Sequence, residues 1–537
     1  MAKVLFVNPT VRESSAPQHV PYGMALLAAI IEQHGHEFQV FDENAWRFTT
    51  DSELRSALVA DCWEVIAVGG ISTTYGAIKR IVGLARQICP NALIVLGGGV
   101  LTSLPREIMG MLPQVDIGVI GEAFVTFVEV LARVDESSRQ WDTVLGIIYR
   151  DANDELRITP ERPLLRDIDS LPYPAWRYFP LEEYWKNSST ELSEELWLSR
   201  RRLDINGSYG CSLICRFCYH LGIAGDLQYD ERPDGDRDVA FTYDRELRWH
   251  SPRYIVDMVK HARKELGIDF LMFLDENLMT MHLSSGRKWL TEIADLWIAE
   301  GLQPRCIREG REHSPGTCDG VHWGGTSHAG LVDPDILKRL RESGCSYLLY
   351  GLESFSPRVL RNVGKGATAA ANERALKMTF DAGIRPIPNQ MIGFPDEFFD
   401  SVLDCMDAWE RLGIVCKPFF ATPYPGSEWF YRYHDKILQQ HDGNLEAFLE
   451  SLGDATDITA VISENFNAVE LLGLRELMLR FDRKRIKEYE KEWRRVHGEP
   501  TFPDFVSEAK VNWSKMMRKK KGPHAQPAAR GLPRPDR

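Results

Sequence analysis

The stretch Tyr209-Gly210-Cys211-Ser212-Leu213-Ile214-Cys215-Arg216-Phe217-Cys218-Tyr219 decides how the chain is read. Three thiolates on one short loop can hold three irons of a [4Fe–4S] cube and leave the fourth iron without a protein ligand, whereas such clusters ordinarily take four cysteines. An open iron can bind a small molecule and pass it an electron; a fully ligated cluster only relays electrons. The competing readings are three thiols that happen to lie close, or part of a zinc site. Structural zinc usually wants a fourth Cys or His in a second close pair.

The Cys-x-x-x-Cys-x-x-Cys spacing, with Phe217 before the last cysteine, resembles the radical S-adenosylmethionine (SAM) enzymes, in which the free iron binds the amino and carboxylate groups of SAM. The resemblance implies that Phe217 lies against adenine and that residues 201–430 form a partial (β/α)6 barrel. Six strand-like runs fit it: Asp204–Ser208, Phe270–Leu274, Pro304–Ile307, Tyr347–Gly351, Pro386–Ile392 and Ile414–Ala421, with helical patterns between them. Active sites on such barrels gather at the carboxyl ends of the strands.

Those ends supply the candidate site. Asp275, Glu276 and Asn277 follow the second strand and can accept hydrogen bonds from an amino group or ribose; Asp and Asn there also suit helix capping. Gly351-Leu352-Glu353-Ser354 matches an element that relatives place next to SAM, which makes Glu353 the leading candidate outside Cys211, Cys215 and Cys218. Met391 and Gly393 end the fifth strand, and Thr422-Pro423-Tyr424-Pro425-Gly426-Ser427 resembles a segment closing over the adenosyl end.

Residues 1–150 alternate short apolar runs, Gly or Ser/Thr turns and helical patterns. Val4–Val7, Phe38–Phe41, Val65–Val68, Leu93–Leu96 and Ile117–Ile120 read as buried parallel strands, and Tyr22 to His34 as a helix. The fold class is therefore α/β, with a doubly wound, Rossmann-like sheet in front of the barrel. Ligands of such sheets bind beyond the carboxyl ends of the strands, where Ser72, Thr73, Gly97, Gly98, Gly99, Gly121 and Glu122 fall.

With Pro21-Tyr22-Gly23 opening its first helix, and placed before the cluster domain, this region resembles the cobalamin-binding domain of B12-dependent radical SAM enzymes; the likeness runs over roughly residues 1–430. Asp-x-His-x-x-Gly, the signature of cobalt ligation by histidine, is absent. His19, His34 and His36 read as surface or packing residues, and Val100 stands near where relatives often carry a histidine.

Residues 151–200 read as a linker, 431–510 as a helical region with Leu471, Leu474, Leu477, Met478 and Phe481 on one stripe, and 511–537 as a basic disordered tail that includes Lys515 to Lys521. Two polar insertions are candidates for substrate recognition, Asp226 to His250 and Arg305 to Gly330. In the second, Arg305, Arg308 and Arg311 are expected to form a cationic pocket near the barrel mouth, or else surface salt bridges. Cys306, Cys318, His313, His322 and His328 share that segment, but no close Cys pair exists, so a second metal site is not expected.

The chain has 537 residues and a net charge of −13, which disfavours binding along a nucleic-acid backbone. No apolar run approaches a membrane span, the amino terminus carries no secretory pattern, and ten scattered cysteines are no disulfide framework; a reducing cytoplasm is the expected setting. The family likeness implies three cofactors: a [4Fe–4S] cluster, SAM, and cobalamin carrying a methyl group as methylcobalamin. It implies methyl transfer to an unactivated carbon or a phosphinate phosphorus of a small natural-product precursor, as in antibiotic biosynthesis, with a reductase, flavodoxin or ferredoxin as electron donor; the arginines of the 305–311 segment favour an anionic acceptor. The alternative is oxidative cyclisation with the same cofactors.

Overall fold

The computed structural model describes residues 1–12, 16–47, 50–136, 139–187, 199–219, 228–240, 246–311, 318–503 and 505. His313, the tail 511–537 and parts of the Asp226–His250 insertion lie outside these residues.

The amino-terminal region is a seven-stranded sheet: β1 (Lys3–Asn8), β2 (Glu37–Asp42), β3 (Val65–Gly69), β4 (Leu93–Gly97), β5 (Ile117–Val119), β6 (Ile147–Arg150) and β7 (Leu156–Ile158), in the order β2-β1-β3-β4-β5-β6-β7. The first five are parallel; β1, β3, β4 and β5 are nearly uninterrupted in apolar character, as expected of strands covered on both faces, while the edge strand β2 alternates. The last two are antiparallel, so the sheet runs on to Ile158, beyond the alternating pattern of the first 150 residues. Strand order reverses between β1 and β3, and the crevice at such a switch point is where ligands of these sheets bind.

Four short strands follow β8 (Arg202–Ile205) or precede the next long one: β9 (Ser208–Tyr209) pairs with β12 (Arg248–Trp249), and β10 (Gln228–Glu231) with β11 (Arg237–Ala240). The second sheet is parallel throughout, in the order β8, β13 (Phe270–Phe273), β14 (His322–Ser327), β15 (Cys345–Glu353), β16 (Arg385–Ile392), β17 (Phe419–Phe420). Six sequential strands with intervening helices give the half-barrel expected.

One of its strands departs from the sequence reading. Pro304–Ile307 is not a strand: Pro304 caps a short helix, Arg305–Glu309, and the third strand is His322–Ser327. That strand hides because Gly324 and Gly325 occupy its middle, where β-branched residues are the usual signal. Both glycines are required. A β-carbon on Gly324 would sit 2.4 Å from the Tyr347 ring, and one on Gly325 2.8 Å from a Leu278 methyl. The last strand shrinks from Ile414–Ala421 to two residues, because Pro418 has no N–H to give a ladder.

Residues 168–179 of the linker form a strap over the first helix. Ile168, Leu171, Trp176 and Phe179 are buried with Val20, Tyr22 and Leu26, and the Ala175 N–H donates to the Ala25 carbonyl. At the carboxyl end, Leu471, Leu474 and Met478 are buried while Leu477 and Phe481 pack partly buried against the same core, as the stripe predicts. Helix Leu445–Ser451 leans back on the first sheet domain, where Glu446 meets Tyr75 and Lys79, and Glu450 meets Lys79.

Buried at the start of the barrel, Arg202 and Asp204 pair at 2.9 Å, each only 1% exposed. Burial raises the Asp204 pKa, but Arg202 and His19 overcome it and hold the group at about 2, below its ordinary 3.8. A depressed carboxylate contributes stability above its unfolded pKa and loses it as pH falls through the folded value. Asp204→Asn is expected to cost about 3–5 kcal/mol at neutral pH by leaving Arg202 unpaired. In urea unfolding, the gap to the parent should narrow as pH falls from about 4 to about 2.

Candidate functional site: a thiol loop between two cavities

The thiol loop leaves β9 through Gly210, whose φ is +95°, and is fastened by Arg216, directly after Cys215. The Arg216 N–H donates to the Val363 carbonyl at 3.0 Å, its guanidinium donates to the Asn362 carbonyl at 2.7 Å and pairs with Glu428, and its carbonyl accepts from the Trp429 N–H. Gly364 permits this approach, since a β-carbon there would lie 2.7 Å from the guanidinium. Phe217 tilts against Trp429 at 5.9 Å.

The loop faces a cavity of about 190 Å3 at the carboxyl ends of the barrel strands. Cys211, Cys215, Cys218, Phe217, Glu276, Asn277, Gly351 and Glu353 all line it. The structure therefore brings most of the candidates together, and adds Tyr219, Thr326, Ser327 and Lys365. Asp275, Ser354, Met391, Gly393 and Thr422 do not line it. Asp275 lies behind the wall, accepting from the Gly207 N–H at 2.9 Å and from the Ser208 hydroxyl. Ser354 bonds Cys405 and the Ser356 N–H. Met391 packs into the core shared with Trp429. The Gly393 N–H donates to Glu397, and the Thr422 hydroxyl to the Phe420 carbonyl.

Glu353 adopts a φ of +62°, a left-handed conformation that a non-glycine residue takes only under constraint. It falls where the β15–β16 register shifts, and the Lys365 ammonium pairs with its Oε1 at 2.5 Å and also donates to the Gly351 carbonyl. A β-carbon on Gly351 would strike both charged groups, at 2.4 and 2.5 Å. Burial opposes the lysine charge, but Glu353 and then Cys215 outweigh it and raise its pKa. No local pattern marks Lys365 in the sequence.

Two larger cavities, of about 450 and 590 Å3, open at the switch point of the first sheet. They share Val11, Ile71, Gly98, Gly99, Gly121 and Glu122. Gly97 and Phe127 line the first; Ser72, Thr73, Tyr209, Tyr219, Tyr424 and Asp454 line the second. Every candidate in this domain is thus at the cavity pair. The first is largely apolar, and no histidine lines either one among the described residues. Gly98 has φ +93°, and a β-carbon would come 2.3 Å from the Gly70 carbonyl oxygen, so only glycine lets the two turns cross. Tyr219 lines both the second cavity and the one at the thiols, so the two spaces adjoin.

Arg305, Arg308 and Arg311 line none of these cavities. They lie on the connection into the amino end of β14, at the opposite end of the barrel, and Arg305 and Arg311 pair with Glu309. The expected cationic pocket is surface salt bridging.

The residues fit three bound groups. Cys211, Cys215 and Cys218 line one cavity, the thiolate donors that an iron–sulfur cluster takes. Glu276 Oε2 and the Ser327 hydroxyl are buried without a hydrogen-bond partner at the cavity wall, as expected of atoms that await a polar ligand. The glycine crossing at the switch point leaves a deep slot for a large, partly apolar one.

Residues 9–131 match the B12 binding domain model and residues 205–408 the radical SAM superfamily model. An α/β protein with a switch-point slot beside an open thiol loop thus carries a B12 binding domain followed by a radical SAM domain, which together imply a [4Fe–4S] cluster, SAM and cobalamin as cofactors. It is 26% identical to "Uncharacterized methyltransferase PH0819" of Pyrococcus horikoshii, over 81% of this chain and 84% of that one. It is 23% identical to the anaerobic magnesium-protoporphyrin IX monomethyl ester cyclase of Cereibacter sphaeroides, over 81% of this chain and 64% of that one. Among solved structures it resembles the radical SAM methyltransferase TsrM of Kitasatospora setae, with a TM-score of 0.60 at 16% identity, over 82% of this chain and 76% of that one.

Burial pushes the Glu276 carboxyl up from 4.5 to about 8, with Asp275 adding to the rise. Asp275 itself is raised to about 6 by burial. Keeping a raised acid charged in the fold opposes stability, so the cost grows as pH climbs from 4.5 toward about 8. Glu276→Gln should therefore raise the melting temperature relative to the parent at pH 8 and leave it nearly unchanged at pH 4, by calorimetry of the ligand-free protein. Lys365→Met, which strands Glu353, should cost about 3–5 kcal/mol in denaturant unfolding.

Proposed function

We propose that this protein transfers the methyl group of SAM, by way of cobalamin, to an atom of a small molecule that is not itself a nucleophile. The observation that carries this reading is the adjacency of the two sites: Tyr219, next to Cys218, lines the switch-point cavity as well as the thiol cavity. When bound, the cluster and SAM supply a radical able to remove hydrogen, and cobalamin supplies the methyl group. Such chemistry is needed where the acceptor is an unactivated carbon or a phosphinate phosphorus.

In this reading Cys211, Cys215 and Cys218 hold the cluster, and Phe217 offers an apolar face for adenine. Glu276 and Asn277 accept hydrogen bonds from the amino group or ribose of SAM, and Glu276 stays protonated until a bound cation lowers its pKa and the proton passes to solvent. Glu353 and Lys365 present a fixed ion pair beside the thiols. Gly97 to Gly99, Ser72, Thr73, Gly121 and Glu122 line the berth of cobalamin, with Glu122 held by the buried Arg248. Tyr209, Tyr219 and Tyr424 enclose the space where the substrate meets both cofactors, and their rings exclude water from it.

Methyl transfer is favoured over cyclisation by coverage: the chain spans 84% of the methyltransferase relative and 64% of the cyclase. An electron donor and a cytoplasmic setting belong to the same reading; no helix among the described residues is long and apolar enough to cross a membrane.

The test is anaerobic incubation of the cobalamin-loaded, reconstituted protein with dithionite and SAM labelled at the methyl carbon. Label should pass to the corrinoid and, with substrate, to the product, alongside 5′-deoxyadenosine. Label that never leaves SAM would reject methyl transfer, and a product lacking it would favour cyclisation. Cys215→Ala should abolish 5′-deoxyadenosine release. Glu276→Gln should weaken SAM binding about tenfold, or about 1.4 kcal/mol, in calorimetry.

A further inference from the structure

At the end of the barrel away from the thiol loop, the donor atoms of Cys306, Cys318 and His322 all lie within 4.8 Å of one another. They arrive from three pieces of backbone. Cys306 belongs to the short helix Arg305–Glu309, Cys318 to the segment leading into β14, and His322 is the first residue of β14. Cys306 Sγ is 3.3 Å from His322 Nε2. Sequence spacing did not announce the group, because the cysteines are twelve positions apart and meet only through the fold.

The surroundings are built for this convergence. Gly320, at φ +111°, lets its strand of chain cross Pro304 so closely that a β-carbon would sit 2.6 Å from the Pro304 Cα. The Arg305 N–H donates to the Asp319 carbonyl at 2.7 Å, which fastens the crossing. The Cys306 N–H donates to Cys318 Sγ at 3.2 Å, which fixes the second sulfur beside the first. The other ring nitrogen of His322 lies 3.5 Å from the Ser346 hydroxyl, which turns Nε2 toward the sulfurs, the arrangement by which ligating histidines are usually oriented.

We propose that Cys306, Cys318 and His322 bind one zinc ion, independent of the cluster. Two thiolates and an imidazole form a soft set that suits zinc rather than magnesium or calcium, and tetrahedral zinc draws its donors to such separations. Binding replaces two thiol protons, which pass to solvent, and involves no change of oxidation state. The ion would staple the helix Arg305–Glu309 and Cys318 to the first residue of β14, the strand with two glycines at its middle. The far end of that strand, about 16 Å along, carries Thr326 and Ser327 at the thiol cavity. The zinc is thus a structural anchor for one wall of the active site.

The test is metal analysis of the full chain purified anaerobically from zinc-supplemented cells. Because zinc can occupy an empty cluster loop, the parent is compared with Cys211→Ala/Cys215→Ala/Cys218→Ala and with Cys318→Ser. Zinc at about one per chain in the parent and the triple variant, but lost from Cys318→Ser while iron is retained, supports the site, as does a lower melting temperature for Cys318→Ser. Zinc absent from the parent, zinc lost only in the triple variant, or a Cys306–Cys318 disulfide in peptide mapping without reductant would overturn it. Should Cys318→Ser not fold, zinc-edge absorption of the triple variant decides: a shell with two sulfurs and nitrogen supports the site, and a sulfur-free shell refutes it.

Discussion

The wedge of Tyr219 between two glycines sets the geometry on which everything else depends. A β-carbon on Gly99 would touch its ring at 3.8 Å, and one on Gly426 would overlap it at 2.3 Å. The ring follows directly on Cys218, so the distance from the thiol loop to the mouth of the first sheet is fixed by van der Waals contact. The sheet supplies Gly99 through the turn after β4, and the barrel supplies Gly426 through the turn after β17. Neither domain alone defines the space in which the two chemistries meet.

Around that wedge the protein keeps several charges out of water, each with a different remedy. Arg216 is spent on carbonyls and Glu428, and it holds the loop. Glu353 is matched by Lys365 at the expense of a left-handed backbone. Glu276 has no counter-charge and stays protonated near neutral pH. Buried pairs of this kind are weak contributors to stability but costly to break, so they specify one arrangement of the cavity rather than hold the fold together.

Much of this was legible in the sequence because the signals are local. The cysteine spacing, the glycine turns after β3, β4 and β5, and Gly351-Leu352-Glu353 each act within a few residues of where they stand. What the sequence hid is long-range. Lys365 is one lysine among many until the fold sets it over Gly351. Strand β14 lacks a strand's composition because its neighbours' rings and methyls occupy the space its side chains would fill. The arginines of the 305–311 segment look like an anion site until the connection is seen to enter β14 from the wrong end. Asp275 looks like a ligand but spends both oxygens on the turn at Gly207 and Ser208.

The lean of helix Leu445–Ser451 on the first domain has a further bearing. Its contacts there include ion pairs of Lys79 with Glu446 and Glu450, in which each side chain is between 30% and 45% exposed. Exposed pairs of this kind are weak and screened by dissolved ions. They act as a latch rather than a weld, alongside the deeper packing of Phe448 and Leu449. The switch-point cavities thus have a seam beside them whose grip slackens as ionic strength rises.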